Sequence, residues 1–296
     1  MVQDADGKHG GANGGAASAS KNEEQTESTQ NTQYDQIGSR YLDIKLLPAA
    51  EPEVPSILAA LGEGGVRGFK CLDLACGTGK YTHLLATLGA TSVTGHDISP
   101  TMIASALTTY PPTQYPTLHF SVQDCSIPSS LPPPTHTYDL VFSAWLLNYA
   151  GSESELTNMF RVAERQMVQG ARFVALTTNA HDPLMATPKR AFYGLDVLVL
   201  DPAYVAPDTR EVVGIQARVQ VGGGTERGGF EFDVFQFRKE VYERCAGRAG
   251  LEVAWREAVV PDDERKGVGY WDEWVTRPTF AMLEARRVGE GEAGDG

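Results

Sequence analysis

The stretch Cys71-Leu-Asp-Leu-Ala-Cys-Gly-Thr-Gly-Lys-Tyr-Thr82 decides the fold. An apolar run from Phe69 to Leu74 reads as a strand, passes a turn holding Gly77 and Gly79, and leads into a helix over Lys80 to Leu88. A glycine turn between strand and helix lets the backbone approach a ligand closely and aims the helix N-terminus at its anionic or polar groups. Taken alone, the same turn also suits a plain strand-to-helix corner or a nicotinamide dinucleotide site. The dinucleotide pattern would place a third glycine three residues after Gly79, where Thr82 stands.

Outward from this turn, short apolar runs alternate with helical stretches, the signature of a parallel sheet covered on both faces. Thr91 to His96 predicts the second strand, and Ser99-Pro100 opens a helix to about Thr109, with Ser as N-cap and Pro at the first helical position. Leu118 to Val122 and Tyr138 to Ser143 predict strands three and four. Ser152 begins a helix with a capping box to Glu155, and Ala171 to Thr178 is the fifth strand. Asn179 to about Pro207 reads as irregular, Val212 to Val221 and Phe230 to Phe237 as a hairpin around Gly222-Gly223-Gly224. A helix over Glu240 to Ala249 stops at Gly250, and Leu251 to Ala258 and Thr279 to Arg286 supply the last two strands. The segment His181 to Phe237 is too long for a bare connection and is expected to cap an acceptor pocket, although the hairpin suits a dimer contact equally.

Composition bounds the rest. Residues 1–32 are Gly, Ala, Ser, Asn, Gln and Glu with almost no large apolar side chain, and 288–296 have the same character, so both are expected to be disordered tails around one domain over 33–287, its cap inserted at about 180–237. With 38 acidic against 25 basic residues, a net charge of −13 and no Lys/Arg block, nucleic acid is excluded as a partner. No apolar run approaches the roughly 20 residues needed to cross a bilayer, and no cationic, apolar leader opens the chain, which argues for a cytoplasmic protein without a membrane partner. Cys71, Cys76, Cys125 and Cys245 form no C-x-x-C pair, and the histidines have no ligand-spaced partner, so no metal is expected.

Asp97 ends the second predicted strand and Asp124 follows the third, and in a doubly wound sheet these ends open on the same crevice as the glycine turn. Asp97 can chelate both hydroxyls of a ribose, and Asp124 can accept from an exocyclic adenine amine. The plainer alternatives are a helix N-cap for Asp97 and a solvated turn acid for Asp124.

The ordered set Leu-Asp-Leu-Ala-Cys-Gly-Thr-Gly, Gly-His-Asp-Ile-Ser-Pro-Thr-Met, Gln-Asp and Tyr-Asp-Leu-Val-Phe-Ser-Ala resembles the motifs of class I S-adenosylmethionine-dependent methyltransferases over about Tyr34 to Val288. The resemblance implies an α/β Rossmann-like fold with a seven-stranded, mostly parallel sheet, helices on both faces and an inserted β-hairpin cap. It implies S-adenosylmethionine as cofactor and methyl transfer to N, O or S of a small-molecule acceptor by a monomer or homodimer. By the same match Asp73, Ala75, Cys76, Gly77, Gly79 and Tyr81 would line the methionine and ribose side, with Tyr34, Tyr41 and Ser143 nearby. Asp97, Ile98 and Met102 would hold the ribose and flank adenine, and Asp124 and Cys125 would face the adenine edge. Ala75 departs from the pattern by standing where its first glycine is common. Shorter blocks, Tyr34-Asp-Gln-Ile-Gly-x-x-Tyr41, Trp145-Leu-Leu-Asn-Tyr-Ala150 and the late Ala249-Gly-Leu with Trp271 and Pro278, are similar to toxoflavin-type N-methyltransferases and their fungal secondary-metabolism relatives.

In-line transfer from a sulfonium needs alignment and desolvation more than a strong base. Trp145, Asn148 and Tyr149 follow strand four, beside the expected reacting centre, while Tyr34 and Tyr41 offer aromatic faces to a cation from a lid. Tyr193 and Tyr204, with Phe192, would shape acceptor specificity from the cap. His181, just past strand five, reads first as a loop histidine with a structural hydrogen bond and second as a candidate proton acceptor, with Tyr41 and Asn148 as further catalytic candidates. A non-methylating cyclisation or elimination on the same cofactor, or a methyltransferase-like regulator, remain open alternatives.

Overall fold

Alternation along the central strands sorts the apolar side chains into layers. In β1 (Lys70–Leu74) Cys71 faces one core while Leu72 and Leu74 face another; in β4 (Tyr138–Ala144) Leu140 and Phe142 join the first and Val141 the second. The same period of two runs along β5 (Met167–Thr178) and β11 (Phe280–Arg287), as it must in strands buried on both faces. The structure is a computed structural model and describes residues 37, 44–131, 133, 135–222 and 229–289.

With β2 (Ser92–Asp97), β3 (Leu118–Val122) and β10 (Leu251–Arg256), these strands form a seven-stranded sheet in the order β10-β11-β5-β4-β1-β2-β3. β1 to β5 pair in parallel, and β11 runs antiparallel to both its neighbours. The C-terminal ends of the five parallel strands therefore share one edge with the start of β11, and this edge carries the site.

Helices α1 (Glu53–Leu61) and α2 (Lys80–Thr87) cover one face of the sheet, and α3 (Pro100–Thr109) follows β2. Ser99 caps α3 by accepting from the Met102 N–H at 3.2 Å. On the opposite face α4 (Glu153–Gln166) packs with α5 (Lys239–Arg248) through Phe160, Tyr242 and Cys245. Ser152 accepts from the Glu155 N–H at 3.1 Å, but the Glu155 carboxylate accepts from Gly151 N–H at 2.8 Å, so the capping box closes one residue earlier than the sequence predicts. α1 has no counterpart in the sequence reading. Arg172 of β5 holds its end by donating to the carbonyls of Ala60 and Leu61 at 3.0 and 2.6 Å, where a cation meets the helix C-terminus. Two short helices, α6 (Glu264–Gly267) and α7 (Asp272–Thr276), precede β11.

The cap is larger than a hairpin. β6 (Lys189–Phe192), β7 (Leu195–Val205), β8 (Val212–Val221) and β9 (Phe230–Phe237) form a four-stranded antiparallel sheet in chain order. The stretch that reads as irregular contains β6 and β7 because its Pro and Asp residues sit at register shifts: Pro202 lies between Asp201 and Tyr204, where β7 slips against β8. The turn residues Gly223 and Gly224, the expected tail 1–32 and residues 290–296 of the expected tail 288–296 lie outside the described residues. Val288, expected to fray, donates its N–H to Gly250 O at 3.0 Å. Among the described residues no helix is long and apolar enough to cross a membrane, and no three His, Cys, Asp or Glu side chains gather as metal ligands would.

Candidate active site

At the end of β1 the chain turns sharply. Ala75, Gly77 and Gly79 all have left-handed backbone, with φ of 60°, 55° and 86°. The turn is tied to β2 by Cys76 N–H donating to His96 O at 2.9 Å and by Gly77 N–H donating to Asp97 Oδ2 at 2.8 Å. Gly79 also has no room for a side chain, since a Cβ would lie 2.9 Å from the Phe120 ring and 3.0 Å from Tyr110. Asp97 is buried, and its other oxygen accepts from Ser99 N–H at 2.9 Å. One carboxylate thus joins the glycine turn to the start of α3, and each oxygen of a carboxylate can accept more than one hydrogen bond. His96 points the other way, to Ser121 Oγ at 2.8 Å, and burial drives its pKa down to about 4.

Asp73 is fully buried below the turn and accepts from Thr82 Oγ1 at 2.6 Å through Oδ2, while Oδ1 has no hydrogen-bond partner. Burial, with the charge of Asp97 adding to it, pushes its pKa up to about 7. Asp124 after β3 accepts from the N–H and Oγ of Ser126 at 2.8 and 2.6 Å, all through Oδ1. Met102 and Cys125 are buried nearby, Ile98 is half-buried, and the thiols of Cys76 and Cys125 are held protonated by burial. Ser143 near the end of β4 is buried with its hydroxyl unpartnered.

Between this edge and the cap lies a cavity that opens to solvent, its empty space with that solvent included about 760 Å³. Its walls are Leu195, Val197, Ala217, Val219, Phe232 and Val234 of the cap sheet; its floor includes Trp145, Tyr149, Thr178 and Thr279 at the strand edge. Lys45, Glu53, Lys189 and Gln236 add polar groups. Sequence reading missed these four, because an acid in a helix first turn and scattered lysines look solvent-facing until tertiary contacts bury them.

Glu53 joins the cavity to the glycine turn. Its carboxylate, 2% exposed, accepts from Lys45 Nζ at 3.1 Å, from Trp145 Nε1 at 2.9 Å and from the Tyr81 hydroxyl, and Lys80 Nζ lies 3.8 Å away. Burial alone would raise its pKa, but the charges of Lys45 and Lys80 and the bonds from Tyr81 and Trp145 bring it below the usual range. Tyr81 and Lys80 belong to the first turn of α2, so the carboxylate couples the element that follows the glycine turn to Trp145, itself at φ 66° after β4. Burial raises the pKa of Tyr149 and keeps its hydroxyl protonated.

Other expected residues fall elsewhere. Tyr34 and Tyr41 lie outside the described residues. His181 does not reach the cavity: its N–H donates to Asn179 Oδ1 at 3.1 Å in a tight turn at the end of β5, and its ring stacks edge-on against Trp255 at 4.8 Å on the surface. Tyr193 donates to Tyr270 O at 2.5 Å and stacks on Trp271 at 5.3 Å, and Tyr204 donates to Gly151 O at 2.7 Å, so both fasten the cap rather than line the cavity. Asn148 is buried with both polar atoms of its amide unpartnered, outside the cavity lining.

Residues 71–170 match the family described as a methyltransferase domain, the span from β1 into β5 that holds the glycine turn, Asp97 and Asp124. No curated protein matches the chain. Among solved structures, an S-adenosylmethionine-dependent methyltransferase from Mesorhizobium loti is similar at 22% identity over 80% of this chain and 98% of that one, with a TM-score of 0.55. One from Clostridium acetobutylicum is similar at 14% identity over 86% of this chain and 98% of that one, with a TM-score of 0.57. DhpI, in a complex with SAM and HEP, is similar at 19% identity over 87% of this chain and 96% of that one, with a TM-score of 0.55. At such identities the likeness establishes the fold.

Proposed function

We propose that the chain is an S-adenosylmethionine-dependent methyltransferase that acts on a small molecule of secondary metabolism. The observation that carries this reading is the convergence, on one edge of the parallel sheet, of the glycine turn, Asp97, Asp124 and an amphipathic cavity floored by Trp145. The family match over residues 71–170 and the methyltransferase folds of the similar structures support it.

The residues fit the cofactor. Asp97 presents two oxygens, each able to accept more than one donor, to a ribose, and Asp124 holds Ser126 through Oδ1, which leaves Oδ2 to an adenine amine. Asp73 supplies a buried acceptor, Oδ1, that a cationic or donor group of the cofactor would satisfy. When bound, S-adenosylmethionine supplies an activated methyl group for in-line displacement. The chain contributes position and dryness: the cap sheet excludes water from the acceptor, and Glu53 fixes the Trp145 ring at the floor. Glu53 is held ionised by two lysines and is a poor proton acceptor, so proximity rather than general-base chemistry is the expected source of rate.

Titration calorimetry with S-adenosylhomocysteine and NAD tests the reading. Micromolar binding of the first alone supports it, and binding of NAD instead overturns it. Asp97→Ala should weaken S-adenosylhomocysteine by about 2–3 kcal/mol through lost charge-assisted hydrogen bonds, and unchanged affinity would remove Asp97 from the site.

A further inference from the structure

The charge of the cavity runs against that of the chain. The sequence carries a net charge of −13, yet the ionisable groups other than tyrosine that line the cavity are Lys45, Glu53 and Lys189, two cations to one anion among the described residues. The layer behind keeps the same balance. Glu53 answers both Lys45 and Lys80, and Asp182, which pairs with Lys189 at 3.2 Å, is shared with Arg277 at 2.9 Å. Each carboxylate is outnumbered two to one.

Lys189 is not a surface group. It is 8% exposed, rises from β6 in the cavity wall, and has its Nζ 5.7 Å from the centre of the Phe192 ring and 3.5 Å from Pro278 O. Burying an ammonium costs several kcal/mol unless an anion fully answers it, and half a share of Asp182 with one long bond to a carbonyl does not. Around it the wall is apolar, with the Gln236 side chain, fixed through its amide N–H to Asn179 O at 2.6 Å, as a further polar group. A cationic guest would meet net repulsion here. A guest with one negative charge on an apolar body would complete the balance and match the walls.

We propose that the acceptor is an apolar organic acid whose carboxylate meets Lys189, with its body against the cap strands and the atom to be methylated toward Trp145. The inference rests on the reading of this cavity as the acceptor site.

The test uses the full chain and the probe pair 2-naphthoate and 2-naphthamide, nearly identical in shape and differing in charge, with binding followed by titration calorimetry. The acid should bind about tenfold or more tighter than the amide. Lys189→Met should erase that margin and Lys189→Arg should keep it. Equal binding of the two probes, binding of neither, or a margin that survives Lys189→Met overturns the proposal; if Lys189→Met does not fold, the margin in the unaltered chain decides. S-adenosylhomocysteine is titrated separately. Its binding without an acid preference removes this inference alone, whereas an acid preference without its binding leaves the anion site and removes the methyltransferase reading.

Discussion

The edge of the seven-stranded sheet and the wall of the four-stranded one are shaped by different means. At the first, backbone does the shaping: three left-handed residues, a glycine with no room for a Cβ, and an Asp97 carboxylate that holds two main-chain N–H groups. At the second, regular strands present alternating side chains, Val197, Val219, Phe232 and Val234 among them, around a hollow. A site made of backbone constrains which residues can occupy it, whereas a site made of strand side chains can change guest by exchanging them. The first is therefore rigid in sequence and the second adjustable.

Glu53 bridges the two, and its removal should have the largest effect. Glu53→Ala leaves Lys45 and Lys80 facing each other without that anion, and should cost about 3–5 kcal/mol in urea denaturation. A loss below about 1 kcal/mol would mean that the two regions are fastened elsewhere. Asp73→Asn sharpens the backbone side. The pKa of Asp73 is raised in the fold to about 7, so its ionisation opposes folding once pH climbs from about 4 through 7. The variant escapes this, and its advantage should grow from below about 1 kcal/mol at pH 4 to about 4 kcal/mol at pH 8. Denaturation midpoints that stay parallel across that range would contradict the buried, protonatable state.

Gly79→Ala meets both a left-handed backbone and the Phe120 ring, and should destabilise by about 2 kcal/mol while also weakening S-adenosylhomocysteine. An Ala at this position that binds as tightly as Gly would show that the turn has slack. The smallest effect is expected from Ala75→Gly, where relief at φ 60° exceeds the added chain entropy by up to about 1 kcal/mol, read as a higher Tm.

How much of this was legible follows the same division. The β1 turn, Asp97 and the Ser99 cap could be read because glycine, carboxylate and capping preferences are local chemistry, and the seven-stranded sheet follows from alternating apolar runs. β6 and β7 were hidden because Pro188, Pro202 and Asp201 mark their ends and bulges with the residues of loops. Glu53 could not be found because its burial depends on Trp145, 92 residues away. Of the two readings of His181, the structure has the loop histidine: strand order predicts which edge a residue reaches, but not that an Asn179 turn then carries the ring toward Trp255.

The cap leaves the sheet after Thr178 and returns before α5, and its two ends are stapled together: Gln236 donates to Asn179 O at 2.6 Å and Thr178 to Phe235 O at 3.4 Å. Whatever lies between those staples is a closed excursion whose length adds little to the entropy of folding, since closure cost grows only slowly with loop size. The four strands thus form a cassette. A lineage could exchange it, or a designer graft another, and retune what the cavity accepts without rewriting the sheet that carries it.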